Sequence, residues 1–120
     1  MIEFIRADHV NICVPPERLE EARQFYEEVI GLKQIERPDV FPAHGYWFRV
    51  ADIELHIGTE PAKPQSLRHM AFEVKNVEEA AKLLAKYNVQ ILEEPVIPGR
   101  VRFSFIDPFG NRTELLQMTG

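Results

Sequence analysis

Three histidines and one glutamate occupy segments in which polar and apolar residues alternate: His9 in DHVNICV, His56 in IELHIG, His69 in RHMAFEV and Glu114 in NRTELLQ. Imidazole nitrogen and carboxylate oxygen are ligands that Zn²⁺, Ni²⁺, Fe²⁺ and Mn²⁺ accept in proteins. Brought to one point, these four side chains make a divalent-metal site. A single histidine in an alternating strand is more commonly a hydrogen-bonded surface or core residue. The symmetric placement of all four in the sequence is what favours the metal reading. Cys13 is the only cysteine, so no intramolecular disulfide forms and any transition-metal site must rest on His and carboxylate. That cysteine usage suits a reducing cytoplasm. The fourth histidine, His44, falls in a proline-flanked loop and is expected in solvent.

The elements that must position these residues follow from periodicity. Residues 5–14 alternate Val10, Ile12 and Val14 against His9, Asn11 and Cys13, the pattern of a strand with one apolar face. Pro15 and Pro16 end that strand and open a helix, in which Leu19, Ala22, Phe25 or Tyr26, and Val29 or Ile30 recur at helical spacing. Gly31 stands where a left-handed cap closes a helix. Strands are expected at 32–37, 45–50 and 53–58, with loops at 38–42 and 60–65.

The pattern then restarts. Strand 68–74 sets His69, Ala71 and Glu73 against Met70, Phe72 and Val74. Asn76 caps a second helix, with Glu79 in capping-box position and Val77, Ala80, Ala81 and Leu84 as its buried stripe. Strands at 89–93, 101–106 and 112–118 complete the chain, the last two joined by the turn DPFGN. His9 falls on His69, LEEA (19–22) on VEEA (77–80), Leu32, Ile35 and Pro38 on Val89, Leu92 and Pro95, and Leu55-His56-Ile57 on Thr113-Glu114-Leu115. Each match is weak alone, and their common order is the evidence for a repeat. The expected fold is therefore α+β: one domain over residues 1–120, with module one at about 1–60 and module two at about 66–120. Two tandem βαβββ modules would form a curved mixed sheet around a cleft, helices outside.

In that arrangement the apolar parity lies under the helices. The other parity faces the cleft and carries His9, Asn11, Glu54, His56, His69, Glu73, Arg112 and Glu114. Glu54 and His56 share that face, but the repeat aligns His56, not Glu54, with Glu114. Trp47, Phe48, Phe103 and Phe105 are core or cleft wall. Arg100, Arg102 or Arg112 are candidates to anchor a substrate carboxylate, against the plainer reading of surface charge. The formal charge of −5, with 14 basic residues dispersed, excludes a nucleic-acid groove. No apolar run approaches membrane-spanning length, and the start MIEFIRADH is too short and too charged for a signal peptide. The open edges of such sheets call for cover, which points to a homodimer.

DHVNICV, an amphipathic helix ending at IGL, FRVADIELHIG, RHMAFEV and DPFGNRTELLQ together resemble the vicinal oxygen chelate superfamily, which includes glyoxalase I, fosfomycin- and bleomycin-resistance proteins, methylmalonyl-CoA epimerase and extradiol dioxygenases. The DPFGN turn followed by the glutamate is the most specific piece of a likeness that covers nearly the whole chain. The resemblance implies metal ligands at His9, His69 and Glu114. The fourth position, a Glu or Gln in many lyases and isomerases of the superfamily, is His56 here. It further implies Lewis-acid chemistry on a small molecule with vicinal oxygens, through an enolate or alkoxide, with Glu114 as ligand and catalytic proton carrier. Glu54 and Glu73 are candidate supporting carboxylates. Two alternatives stand beside this: metal-free drug binding of the bleomycin-resistance kind, and Fe²⁺-dependent ring cleavage.

Overall fold

The computed structural model describes residues 1–120, which form two compact units, Met1–Pro61 and Ala62–Gly120. Each unit is one βαβββ module. In the first, β1 (His9–Val14), β2 (Lys33–Ile35), β3 (Tyr46–Val50) and β4 (Ile53–Thr59) pair in the order β1-β4-β3-β2. In the second, β5 (His69–Glu73), β6 (Gln90–Glu93), β7 (Arg100–Ile106) and β8 (Arg112–Met118) pair in the equivalent order β5-β8-β7-β6. Only the first and last strands of each module run parallel. A helix must therefore cross between the first strand and the antiparallel meander that returns beside it.

The ladders place the repeat in register. Asn11 lies opposite His56 and Ala71 opposite Glu114, while Trp47 and Ser104 flank the same two residues from the other side. His56 and Glu114 thus hold equivalent sites, as do Glu54 and Arg112, opposite His9 and His69.

The first strand is shorter than its alternation suggests: residues 1–8 lie outside the sheet and are exposed. The first helix also departs from one uniform periodicity. A 3₁₀ turn, Pro16–Arg18, leads into α1 (Leu19–Gln24), and Phe25–Val29 widens into a π turn closed by Ile30 N–H to the Phe25 carbonyl at 3.1 Å. Within the π turn, Phe25 and Tyr26 are both buried and meet edge to face. The sequence pattern left a choice between those two rings, and the π turn takes both. Gly31 at φ +86° ends the element in the left-handed region. In the second unit α2 (Val77–Lys86) starts at Asn76, whose side chain accepts from Glu79 N–H at 3.0 Å. Val77 and Leu84 are buried on its inner stripe, Ala80 and Ala81 half-buried.

Apolar packing lies on the helix-covered face of each sheet. It comprises Val14, Ala22, Tyr26, Phe48, Leu55 and Ile57 in the first unit, and Val77, Leu84, Phe103 and Phe105 in the second. Phe48 pairs with Leu55, and Phe105 with Thr113, so this face alternates with the one bearing His56 and Glu114. No helix is long and apolar enough to cross a membrane.

Candidate metal-ligand pairs

In each unit the first-strand histidine reaches the residue two positions beyond its ladder partner. The His9 ring stacks on His56, centroids 4.1 Å apart and planes within 17°. His69 Nε2 lies 3.5 Å from Glu114 Oε1. The sequence-derived set is thus found as two pairs, His9 with His56 and His69 with Glu114, one in each unit. No group of three or more His, Cys, Asp or Glu residues in the structure is placed so that it could hold a metal ion.

Each imidazole has one nitrogen committed to an oxygen acceptor. Asp8 Oδ2 accepts from His9 Nδ1–H at 2.9 Å, Glu54 Oε1 from His56 Nε2–H at 2.9 Å, and the Leu67 carbonyl from His69 Nδ1–H at 3.0 Å. A backbone carbonyl can only accept, so the His69 bond assigns its tautomer outright. In the neutral rings the lone pairs then sit on His9 Nε2, His56 Nδ1 and His69 Nε2. Acceptors holding the far nitrogen in this way are what orient metal-ligating histidines. The hydrogen bond from His9, aided by Arg6, keeps the Asp8 carboxyl below its ordinary value.

His56 is buried, at 8% exposure, between His9 and Trp47, whose ring lies 3.8 Å away and within 3° of parallel. Phe41 continues the row from Trp47 at 6.0 Å. Trp47 shares the face that bears His56, by its ladder position opposite that residue; Phe48, Phe103 and Phe105 are core. Glu54, also held by Arg49 at 3.6 Å, touches His56 as a hydrogen-bond acceptor. Glu73 is exposed opposite Leu116, one residue pair beyond Glu114.

The second unit holds charges that sequence reasoning only partly found. Glu114 is 7% exposed, and its Oε1 accepts from Arg102 Nη1 at 3.2 Å. Arg112 bonds Glu94, which also accepts from Ser104 Oγ at 2.7 Å. Those two hydrogen bonds, Ser104 first, hold the Glu94 carboxyl below the ordinary value. Arg102 and Arg112 are therefore mostly buried, not surface charges, and their plainer reading is corrected by Glu94, just past the end of β6, and by Glu114 on β8. Glu94 went unremarked in the sequence. Its signal was the parity of Arg102 and Ser104 against Phe103 and Phe105, a polar face that needs a counter-charge. His44 is exposed in its loop. The turn after β7 is built on buried Asp107, whose Oδ1 accepts from Phe109 and Asn111 N–H at 2.9 and 2.7 Å, with Gly110 at φ +94°.

The donors suit a divalent ion of the Zn²⁺ to Mn²⁺ series. With His69 Nδ1–H held by the Leu67 carbonyl, Nε2 is the ligand atom of the neutral ring, and it lies 3.5 Å from Glu114 Oε1, a pair of donor types that such an ion accepts.

The Glyoxalase/Bleomycin resistance protein/Dioxygenase superfamily model matches residues 6–115. Among solved structures, a glyoxalase family protein from Bacillus anthracis is 35% identical with TM-score 0.87, covering 99% of this chain and 100% of that one. A mutant of the fosfomycin resistance protein FosX from Listeria monocytogenes, complexed with Mn(II) and 1S,2S-dihydroxypropylphosphonic acid, is 18% identical with TM-score 0.80, covering 99% and 95%. FosX from Mesorhizobium loti is 22% identical with TM-score 0.71, covering 100% and 94%. No curated protein sequence matches the chain.

Proposed function

Because the chain belongs to the Glyoxalase/Bleomycin resistance protein/Dioxygenase superfamily, we propose that it is a metal-dependent enzyme in which His9, His56, His69 and Glu114 ligate one divalent ion. Its substrate is a small molecule with two neighbouring oxygens, and its reaction is of the lyase, isomerase or transferase kind. The observation that carries this reading is the pairing of ligand-type side chains at equivalent register in both modules, each imidazole with one nitrogen already engaged. A bound Zn²⁺, Ni²⁺, Fe²⁺ or Mn²⁺ would supply a Lewis acid to the substrate oxygens.

The chain's own residues do the rest. Asp8, Glu54 and the Leu67 carbonyl fix the tautomers and spare the site the cost of choosing them on binding. Trp47 walls His56 from water on one side. Glu114, a buried carboxylate, takes or returns the substrate proton.

The test is titration of the purified chain with Mn²⁺, followed by emission of Trp47, the only tryptophan and the ring stacked on His56. Glu114→Gln is expected to weaken binding by roughly a hundredfold or more, beyond the 10–100-fold of a lost orienting partner, and to abolish turnover. Acid weakens binding too, since only neutral imidazole ligates. A parent chain that binds none of Zn²⁺, Ni²⁺, Fe²⁺ and Mn²⁺ would favour the second reading, metal-free binding of a flat small molecule. That reading draws on the aromatic row Phe41, Trp47, His56 and His9.

The active form is a homodimer working in the reducing cytoplasm, a reading supported by the open edges of both four-stranded sheets and by the single cysteine. Sedimentation equilibrium is expected to give twice the chain mass of 13.9 kDa. A single species of one chain mass at high concentration refutes the dimer.

A further inference from the structure

We propose that Arg102, within the cluster Glu94, Ser104, Arg102 and Arg112, is a metal-gated anion anchor: it holds Glu114 while no divalent ion does, and takes a small oxyanion of the substrate once Glu114 ligates the ion. The substrate class is thereby narrowed to molecules carrying a carboxylate or phosphorus oxyanion beside their vicinal oxygens. This rests on the ligand role proposed for Glu114.

Charge accounting carries the argument. Two guanidiniums, Arg102 and Arg112, face two carboxylates, Glu94 and Glu114, and all four side chains are less than one-fifth exposed. As it stands the cluster is neutral. Ligation commits the charge of Glu114 to the ion and leaves two cations against Glu94 alone, a net positive charge in a poorly hydrated place.

The hydrogen bonds decide which arginine is freed. Arg112 is bound to Glu94, and Ser104 holds the same carboxylate oxygen. Arg102 meets Glu94 only at 3.8 Å, beyond hydrogen-bond range, and its carboxylate bond is the 3.2 Å contact to Glu114 Oε1. Its Nη2 donates to the Pro95 carbonyl at 2.8 Å, an anchor that keeps the guanidinium in place when Glu114 leaves it. Donor capacity also remains: Arg102 Nε and Arg112 Nε are buried without partners. A planar guanidinium held at Nη2, with Nη1 released when Glu114 turns to the ion, suits an oxyanion better than a point charge would.

The proposal makes metal and anion binding mutually reinforcing, since a coupling between two ligands is reciprocal. The measurement is Mn²⁺ affinity by calorimetry on the full chain, without anion, then with inorganic phosphate, then with acetate. In the parent, at least one of the two anions raises Mn²⁺ affinity by about fivefold or more, the lower end of usual coupling. Arg102→Gln abolishes that rise and, without anion, binds Mn²⁺ at least as tightly as the parent, because the competing cation is gone. Arg102→Lys retains part of the rise, and with the parent titrations it keeps the test decisive if the Gln variant does not fold.

An equal rise in Arg102→Gln means the anion binds the ion directly and overturns the proposal. No rise with either anion in the parent means Arg102 turns to Glu94, and overturns it while leaving the ligand set standing. A parent that binds no Mn²⁺ brings down both.

Discussion

His56→Ala is expected to lower Mn²⁺ affinity by roughly a hundredfold or more, and Glu54→Gln to change it by no more than about threefold; loss of an orienting partner, the intermediate case, costs about 10–100-fold. Both residues lie on β4 and face the same side, two positions apart. A carboxylate would be the more usual ligand from this strand in a lyase of the superfamily, so chemistry alone favours Glu54. Register argues for His56, which is equivalent to Glu114, whereas Glu54 is equivalent to Arg112. One residue pair along a strand is about 7 Å, far beyond a metal–ligand bond of about 2.0–2.2 Å.

The hydrogen bond at 2.9 Å from His56 Nε2–H to Glu54 adds a second reason, because Glu54 is already employed in holding the imidazole. A glutamine there keeps a carbonyl oxygen to accept the same proton, and the ring keeps its tautomer. Glu54→Ala removes the acceptor and falls in the intermediate range. Competitive metal titration of the three variants beside the parent decides the matter. If Glu54→Gln loses the ion and His56→Ala keeps it, the ligand is Glu54 and the site has two histidines and two glutamates.

The largest stability effect is expected at Phe48. Phe48→Ala should destabilise the chain by about 3–5 kcal/mol, the range for removing a buried aromatic ring. Phe48 has no exposed surface and sits opposite Leu55, itself 1% exposed, in the core that also holds Tyr26 and Ile57. A cavity there cannot refill from a sheet fixed on both sides by ladder hydrogen bonds. Phe41 is the contrast: it is 46% exposed and touches Trp47 and the Arg37 guanidinium. Phe41→Ala should cost about 1 kcal/mol or less, the scale of one aromatic or cation–π contact. Urea unfolding of the two variants measures the difference, and comparable losses would mean that the core is not where the alternation of β3 puts it.

The sequence by itself determined the two-module plan and the face on which each candidate ligand lies. Side-chain alternation in a strand and the 3.6-residue period of a helix are local properties, written within ten or so consecutive residues. The repeat added register, since equal spacing in both halves pairs His56 with Glu114 before any coordinate is known. Caps and turns were legible for the same local reason: Asn76 bonds a backbone group three residues on, and Gly31 and Gly110 stand where φ must be positive.

Tertiary structure alone decided the neighbours. The stack of His56 between His9 and Trp47 joins three strands, and the Glu94–Arg112 and Arg102–Glu114 bonds join residues 18 and 12 positions apart. No periodicity encodes those partners, because they depend on which strands lie side by side and on how a buried charge finds its counter-charge. Burial is what turns Arg102 and Arg112 from ordinary surface charges into partners of two carboxylates: away from water, a guanidinium persists only where a carboxylate meets it.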